Sequence, residues 1–401
     1  MLSIVSAGSA VFAAILCIPT VTLLIEILLA KVPNRDDIQE KSSGGTTDQA
    51  AIIIPAHDES IGLVPTLNDL KPQLLPNDRL IVVADNCSDD TAAVAGLAGA
   101  EVIQRHEPDK TGKGYALAYG LAYLNDRPPE FVIFVDADCR LQADMVPRLK
   151  LACATFKCPV QACFLMKAAE HSPISHALAE FAWIIKNWAR PLGLSRLGLP
   201  VQLMGTGMIF PWQLIKNVSL ASDNLVEDLK LGLDLAIAGH APRFYPQVVG
   251  TSEFPQSAKG TDSQRQRWIQ GHVSTIQNSV PKLLFAALVT RNWPLLALVI
   301  DLAVPPISML FLLITSTFFA GLALIAAGAQ NTVAVISVFN LLGLTGALYL
   351  AWLKFARELI SWRDVPLIVA QLCRKLPFYF GIYARRKATS WIRTDRSKDL
   401  L

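Results

Sequence analysis

The stretch "FVDADC" (Phe134–Cys139) carries two carboxylates one residue apart, at the end of the apolar run "FVIFV". Because alternate side chains of a strand point the same way, we predict that Asp136 and Asp138 lie together where the strand ends. Two carboxylates this close repel each other unless a positive group lies beside them. A divalent cation with oxygen ligands would supply that charge and would in turn neutralise phosphates. Two solvated aspartates at a strand end are the alternative that these residues alone leave open.

Polar residues also follow two other stretches of the chain. Asp85 ends "LIVVAD", and the "NCSDDT" after it offers side chains that suit a base or ribose, although Ser88 or Asp89 could instead cap the next helix. Lys113 stands between two glycines in "DKTGKGYAL", at a predicted helix start where backbone N–H groups and the helix dipole favour phosphate. The GxxxxGK[ST] spacing of a P-loop does not occur in the sequence, so this lysine is no Walker-type lysine.

Two later segments add an acid pair and an arginine–tryptophan pair. Glu227 and Asp228 begin a predicted helix in "VEDLKLG". Acidic residues there usually complement the helix dipole, and the second interpretation is that one of them is a general base. In "QRQRW", Gln264, Arg267 and Trp268 stand at i, i+3 and i+4 and share one helical face. A guanidinium beside an indole suits a diphosphate and a sugar, and a membrane-interface belt is the alternative.

Alternating strands and helices are predicted to position these residues. The predicted strands are Ala51–Pro55, Leu80–Asp85, Glu101–Arg105 and Phe131–Asp138, with helices near Ile61–Leu74, Thr91–Leu97 and Gly114–Leu124. Short apolar strands separated by helices indicate an α/β fold with a mainly parallel, helix-covered sheet. Ligands of such sheets bind beyond the carboxyl ends of the strands. Asp85, Asp136 and Asp138 are therefore predicted on one edge.

The composition, 52% hydrophobic and 17% charged, is too apolar for an ordinary soluble protein. Leu2–Ala30 contains one charge, Glu26, and Leu296–Trp352 contains only Asp301. The first run is long enough to span a bilayer, and it lacks the basic start and cleavage site of a signal peptide, which is the alternative. About two further crossings are predicted, roughly at Pro305–Ala327 and Val333–Phe355.

The placement of charge predicts the orientation. Lys31 and Arg35 follow the first apolar run, no basic residue precedes them, and the C-terminal tail is basic. By the positive-inside tendency, the N-terminus lies outside and the middle and tail are cytoplasmic, at the plasma (bacterial inner) membrane. The net charge of +3 is unremarkable, and we expect no nucleic-acid partner. The seven Cys form no CxxC pair and no His cluster accompanies them, so we expect reduced thiols rather than zinc or disulfides.

The motifs PAHDE, DNCSDD, GKG, DAD, GTG, ED and QxxRW occur in this order. On a membrane-tethered α/β domain, this set resembles the membrane-bound members of glycosyltransferase family 2 that are related to cellulose, chitin, hyaluronan and poly-N-acetylglucosamine synthases. The resemblance covers about Ile52–His272. It implies a GT-A fold, a UDP-sugar donor carrying a hexose or N-acetylhexosamine, Mg²⁺ or Mn²⁺, and inversion at the anomeric carbon. A haloacid-dehalogenase-type phosphotransferase fits poorly, because Cys139 and Arg140 follow the second Asp.

The resemblance also implies roles for individual residues. The nucleotide-sugar would be bound by Pro55, His57, Glu59 and Asp85 around the nucleoside, by Lys113 and Arg267 at the diphosphate, and by Asp136. Asp138 would be the more direct metal ligand, with Asp136 beside it. The acceptor would lie against Gly205, Thr206, Gly207, Gln264 and Trp268. Asp228 would be the general base, with Glu227 next to it.

The implied organisation is an N-terminal transmembrane helix (1–31), a linker (32–48), a GT-A domain (49–260), QxxRW and interfacial helices (261–292), about two transmembrane helices (293–357), and an interfacial helix with a basic tail (358–401). Synthases that extrude their polymer usually have more membrane helices, so secretion would need an oligomer or a membrane partner subunit. The acceptor would be a polysaccharide or a lipid-linked saccharide. Pro211 and Trp212 stand about where many relatives carry a basic residue, so we expect different acceptor contacts there. A catalytically silent, nucleotide-sugar-binding subunit of an export complex is the alternative from a different class.

Overall fold

The computed structural model describes residues 1–32, 48–169, 172–220, 227–255, 258–364 and 367. These residues fall into two compact units. One is built from described residues within 32–169 and 199–271, and the other from those within 1–31, 172–198 and 272–367. The second unit therefore includes residues 172–198, which lie within the range 49–260 that the sequence analysis assigned to the GT-A domain.

An eight-stranded mixed sheet forms the centre of the first unit, in the order β3-β2-β1-β4-β7-β6-β8-β5. Its strands are β1 (Ala50–Ala56), β2 (Arg79–Asp85), β3 (Glu101–Arg105), β4 (Phe131–Phe134), β5 (Arg140–Leu141), β6 (Val160–Lys167), β7 (Met208–Pro211) and β8 (Arg243–Glu253). The first four strands pair in parallel, while β7 is antiparallel to β4 and β6. The prediction of an α/β, mainly parallel GT-A-type sheet is confirmed.

The strand directions bring several loops to one edge of this sheet. The carboxyl ends of β1, β2 and β4 share that edge because these strands are parallel. Strand β7 begins there, since Met208 pairs with Phe134 in an antiparallel register. Strand β8 ends there, because it runs parallel to β6, which is antiparallel to β7. This edge is where an α/β sheet binds its ligands.

Helices cover the sheet and carry site residues in their first turns. They span Ser60–Leu70, Thr91–Leu97, Lys113–Tyr123, Met145–Phe156, Trp212–Ile215, Glu227–Ile237 and the beginning of Ala258–Val289, with short 3₁₀ turns at Lys71–Gln73 and Leu124–Asp126. Leu117 and Leu231 belong to one buried cluster with Ile53 and Phe134 of the sheet. Each such leucine contributes about 1.5–3 kcal/mol when fully buried. The core therefore fixes the two helices that begin at Lys113 and Glu227.

The second unit is helical. Its helices are Leu2–Ile15, Cys17–Leu29, Ile174–Ile184, Arg190–Arg196, Trp293–Leu302, Ile307–Ala326 and Thr332–Phe355, with a π-turn at Ile185–Ala189, a 3₁₀ turn at Trp362–Asp364 and the end of the long helix Ala258–Val289. Three stretches among the described residues are long and apolar enough to cross a membrane: Leu2–Leu29, Ile307–Ala326 and Thr332–Phe355. These lie where the apolar runs predicted crossings. The number of crossings and their orientation remain predictions.

A buried charge cluster joins three segments of the helical unit. Arg190 donates from Nε to Glu26 at 2.7 Å and pairs through Nη2 with the Asp301 carboxylate. Its Nη2 also donates to the Asp301 carbonyl at 2.7 Å. Removing Arg190 would leave two buried carboxylates without a counterion, so the arginine is needed once both acids are present. Glu26 and Asp301, the lone charges of two apolar runs, are thereby explained by one arginine from the segment 172–198.

Three predictions concern residues outside the described part of the chain. Most of the linker predicted at 32–48 lies there. The interfacial helix and the basic tail predicted at 358–401 also lie mostly outside the described residues.

Candidate functional site

The turn that carries Asp136 and Asp138 begins earlier than predicted. Strand β4 ends at Phe134 rather than at Asp138, so strand alternation does not align the two carboxylates. The reason is that the backbone turns: Thr66 donates its hydroxyl to the carbonyls of Ala137 and Cys139, at 2.8 and 2.7 Å. The two aspartates nevertheless come together, because ligand atoms of Asp136, Asp138 and Cys139 all lie within 4.8 Å of one another.

This turn offers a donor set that suits a hard divalent cation. Two carboxylates provide the oxygen ligands that Mg²⁺ and Mn²⁺ prefer. The Cys139 thiol is fully buried, and burial, helped by the nearby aspartate charges, holds its pKa well above the ordinary value. It would therefore stay protonated and leave coordination to the carboxylates. The residues present fit a Mg²⁺ or Mn²⁺ ion bound by Asp136 and Asp138.

Lys113 connects the acidic turn to the loop before β7. Its ammonium pairs with the Asp136 carboxylate and donates to the Gly205 carbonyl at 2.7 Å. Burial favours the neutral amine, but the charges of Asp136, Glu227 and Asp228 outweigh it and hold the pKa of Lys113 above its ordinary value. Lys113 is therefore a fixed cation at this edge, about a fifth exposed, where a diphosphate would need one. Lys113 thus supplies part of the positive charge that the carboxylates of Asp136 and Asp138 require.

The GTG loop (Gly205–Gly207) lies against the same groups. Gly205 has φ +90°, and a Cβ there would lie 3.3 Å from Oδ2 of Asp228 and 3.6 Å from Nζ of Lys113. Thr206 is buried, and its hydroxyl accepts from the Asp136 backbone N–H at 3.0 Å. Gly207 (φ +64°) approaches Met145 and the core instead. Gly205 thus faces the site, Thr206 is tied to the backbone of Asp136, and Gly207 lies against the core; the acceptor contacts of all three stay predictions.

Glu227 and Asp228 begin the helix Glu227–Ile237 close to Lys113. Asp228 lies next to Gly205 and accepts from the Leu229 N–H at 2.8 Å. Burial raises the pKa of Glu227 to about 7, because it disfavours the carboxylate more than the Lys113 charge favours it, and the Asp228 charge adds to the rise. The two acids at this helix start therefore differ in their surroundings, although both belong to the same site.

The raised pKa of Glu227 predicts a pH-dependent stability. An unfolded glutamate titrates near 4.5 and the folded one near 7, so the folded state holds its proton more tightly. Its stabilising contribution is complete below about pH 4.5 and is lost as the pH rises through about 7. We expect the melting temperature of the wild type, relative to Glu227→Gln, to fall between pH 5 and pH 8 in buffer with chelator.

A second glutamate provides the control. Burial acts to raise the pKa of Glu101, but hydrogen bonds from Arg79 and Tyr123 outweigh it and hold that pKa below its ordinary 4.5. The melting-temperature difference between wild type and Glu101→Gln should therefore stay constant from pH 5 to 8. A melting-temperature difference between wild type and Glu227→Gln that also stays constant from pH 5 to 8 would contradict the raised pKa of Glu227.

The residues predicted around the nucleoside lie at the ends of β1 and β2. Pro55 is in β1, and His57 Nδ1 lies 2.7 Å from the Asp85 carbonyl oxygen. Glu59 comes near the turn Asp136–Cys139, called the metal turn below, because a Cβ at Gly62 would lie 3.1 Å from its Oε2 and 3.8 Å from Cβ of Asp138. The segments that follow β1 and β2 are joined, because the Glu59 N–H donates to the Thr91 hydroxyl at 2.8 Å.

Asp85 has a partner that the sequence analysis missed. It is buried, and its Oδ1 accepts from Arg105 Nη1 at 2.5 Å and from Asn86 Nδ2 at 3.1 Å. Burial raises the pKa of Asp85 despite the nearby Arg105 charge. The signal that could have found Arg105 is a charged residue ending the apolar strand β3. The ion pair would hold Asp85 in place at the predicted nucleoside pocket.

Another missed residue holds the GTG loop from inside. The Gln161 side chain, fully buried on β6, accepts from Met204 N–H at 2.8 Å and donates to the Thr206 carbonyl at 2.9 Å. Nothing in the local sequence marks this glutamine, because these two contacts are about 45 residues away along the chain.

Gln264, Arg267 and Trp268 lie on the helix Ala258–Val289, as the spacing predicted. Gln264 is buried, whereas Arg267 and Trp268 are partly exposed. Their approach to a diphosphate or an acceptor sugar stays a prediction.

Comparisons with known proteins give the family of this chain. The family described as "Glycosyltransferase like family 2" matches residues 48–271, more than half of the chain. No curated protein matches it. A mannosyltransferase from Pyrobaculum calidifontis, solved with GDP-Man and Mn²⁺, is 15% identical with a TM-score of 0.48, over 86% of this chain and 98% of its own. The glucosyl-3-phosphoglycerate synthase of Mycobacterium tuberculosis is 19% identical with a TM-score of 0.40, over 58% and 80%. Because the family match contains every predicted site residue, the chain belongs to glycosyltransferase-like family 2.

Proposed function

We propose that the protein is an inverting, metal-dependent glycosyltransferase of the membrane surface. It would transfer a hexose or N-acetylhexosamine from a UDP-sugar to a polysaccharide or a lipid-linked saccharide. The observation that carries this proposal is the gathering of Asp136, Lys113 and Asp228 around Gly205, at the edge where α/β sheets bind ligands. It joins a metal-binding acid, a phosphate-binding cation and a second acid in one place.

The donor would lie along this edge, with its nucleoside towards Asp85 and His57 and its diphosphate towards Lys113. Asp136 and Asp138 would hold Mg²⁺ or Mn²⁺, which when bound would neutralise the diphosphate. Lys113, fixed by Gly205, stabilises the negative charge that develops on the leaving group. Arg267 would add a guanidinium to the same oxygens.

The acceptor hydroxyl would approach from the side of Gly205 and Asp228. Asp228 would take the hydroxyl proton as the oxygen attacks C1 of the donor sugar, and the bond from C1 to the diphosphate breaks in the same displacement. Inversion follows, because a single displacement attacks the face opposite the leaving group. Trp268 and Gln264 would hold the acceptor sugar.

The membrane setting follows from the three apolar stretches and the distribution of basic residues. We place the catalytic unit on the cytoplasmic side of the plasma membrane, where nucleotide sugars are made. About three crossings are few for a private secretion channel, so a polymer product would leave through an oligomer or a partner subunit.

A donor panel tests the proposal. Membranes containing the full chain would be incubated with individually labelled UDP-sugars and Mg²⁺ or Mn²⁺, and the products would be sized. We expect one UDP-sugar to be consumed, with activity abolished by excess chelator and restored by added metal. Full activity in excess chelator would overturn the metal-dependent mechanism, and binding of a donor without turnover would favour a silent binding subunit instead.

A further inference from the structure

The metal turn is held by hydroxyl groups from three separate elements. Thr66, on the helix Ser60–Leu70, donates to two carbonyls of the turn, at 2.8 and 2.7 Å. Thr206, just before β7, accepts from the Asp136 backbone N–H at 3.0 Å. Both contacts act on the backbone of the turn. A third group contacts the Asp138 carboxylate itself.

That third group is Ser252, near the end of β8. Its hydroxyl donates to Oδ2 of Asp138 at 2.6 Å, and the residue is only 4% exposed. Ser252 pairs with Met166 of β6, so the ladder between two long strands fixes its position. A buried hydroxyl held by a strand is a rigid donor, whereas an exposed serine would rotate among several partners. The contact spans 114 residues of sequence, so it does not arise from local turn geometry.

We propose that Ser252 is a positioning residue that orients the Asp138 carboxylate for metal binding. A hydrogen bond to one oxygen fixes the plane of the carboxylate and directs its remaining lone pairs, as partners of metal-binding carboxylates do elsewhere. The inference rests on the proposed metal site, and it adds a residue of β8 that no motif contains. In this role Ser252 neither touches the substrate nor takes part in proton transfer. Its effect is on the affinity of the metal.

The test measures Mn²⁺ binding directly. The full chain in detergent would be titrated with Mn²⁺, and free Mn²⁺ would be followed by electron paramagnetic resonance. We expect Ser252→Ala to weaken Mn²⁺ binding by about 10–100-fold, the usual effect of losing such a partner. We expect turnover at saturating Mn²⁺ to return close to the wild-type value, because the donor and acceptor groups are unchanged. Ser252→Thr, which keeps the hydroxyl, should restore the affinity.

Thr251→Val is the matched control. Thr251 is the neighbouring position on β8, and its side chain points to the opposite face of the sheet because strand side chains alternate. The substitution removes a hydroxyl from the same strand at nearly constant volume, so it should leave Mn²⁺ affinity unchanged. If Ser252→Ala does not fold, Ser252→Cys replaces it in the Mn²⁺ titration. A thiol is similar in shape to a hydroxyl but is only a weak hydrogen-bond donor. Ser252→Cys should bind Mn²⁺ more weakly than the wild type.

The outcomes separate this inference from the function on which it rests. Mn²⁺ binding by Ser252→Ala, or by Ser252→Cys in its place, within about twofold of the wild type would overturn the positioning role and leave the metal site intact. An equal loss in Thr251→Val would overturn it as well, because the effect would then come from general disturbance of β8. No Mn²⁺ binding by the wild type would remove the proposed metal site itself.

Discussion

Asp228→Asn is expected to lower kcat by about 10²–10⁴-fold, the contribution of a positioned general base. Asparagine keeps the size and the polar contact to the Leu229 N–H, but its amide cannot take a proton from the acceptor hydroxyl. Donor binding should change little, because Asp228 lies beside Gly205 rather than on the nucleoside side of the edge. The measurement is the initial rate at saturating donor, together with donor affinity, for the UDP-sugar found in the panel.

The same helix supplies the control for this prediction. The Asp234 side chain is 43% exposed and pairs with Lys230 one turn away, so Asp234→Asn makes the same chemical change outside the site. An exposed pair of this kind contributes about 1 kcal/mol at most, and we expect full activity in the control. The alternative interpretation of Asp228, a complement to the helix dipole, predicts only a loss of about 0.3–1 kcal/mol in stability. Unchanged kcat in Asp228→Asn would therefore favour the dipole interpretation and remove the general base.

Asp138→Asn should have a comparable effect through a different route. Replacing this carboxylate by a neutral amide weakens the metal site and the charge neutralisation of the leaving diphosphate. Metal stabilisation of such a transition state is worth several kcal/mol, so turnover should fall by about 10²–10³-fold or more. Mn²⁺ affinity should fall further than in Ser252→Ala, because a ligand is lost rather than its partner.

Asp144→Asn is the matched control for this variant. Asp144 is exposed, lies shortly after the metal turn, and has φ 63° with no side-chain capping hydrogen bond. Asparagine tolerates this left-handed conformation at least as well as aspartate, so the substitution should be neutral. Metal titration and turnover of the two variants would be compared at equal protein concentration. Wild-type metal affinity in Asp138→Asn would contradict the assignment of Asp138 as a ligand.

Much of the catalytic unit could be predicted from the sequence. The strands β1 to β4 and the helices between them follow from apolar stretches and turn residues, because these patterns report which face of an element is buried. Parallel strands then place the residues after Pro55, Asp85 and Phe134 at one edge. The predicted extent of β4 was wrong, because the strand ends at Phe134 and not at Asp138. Asp136 and Asp138 lie in a turn that side-chain hydroxyls hold.

The sequence by itself determined the order of the elements, the apolar stretches and the chemical types at the edge of the sheet, since hydrophobic period and charge are local properties of a chain. Only the tertiary structure decided that Lys113 pairs with Asp136, that Ser252 contacts Asp138 and that Arg190 joins Glu26 to Asp301. Residues 23 to 164 positions apart make these contacts. Whether such residues meet depends on how sheets and helices pack, and no local pattern encodes that.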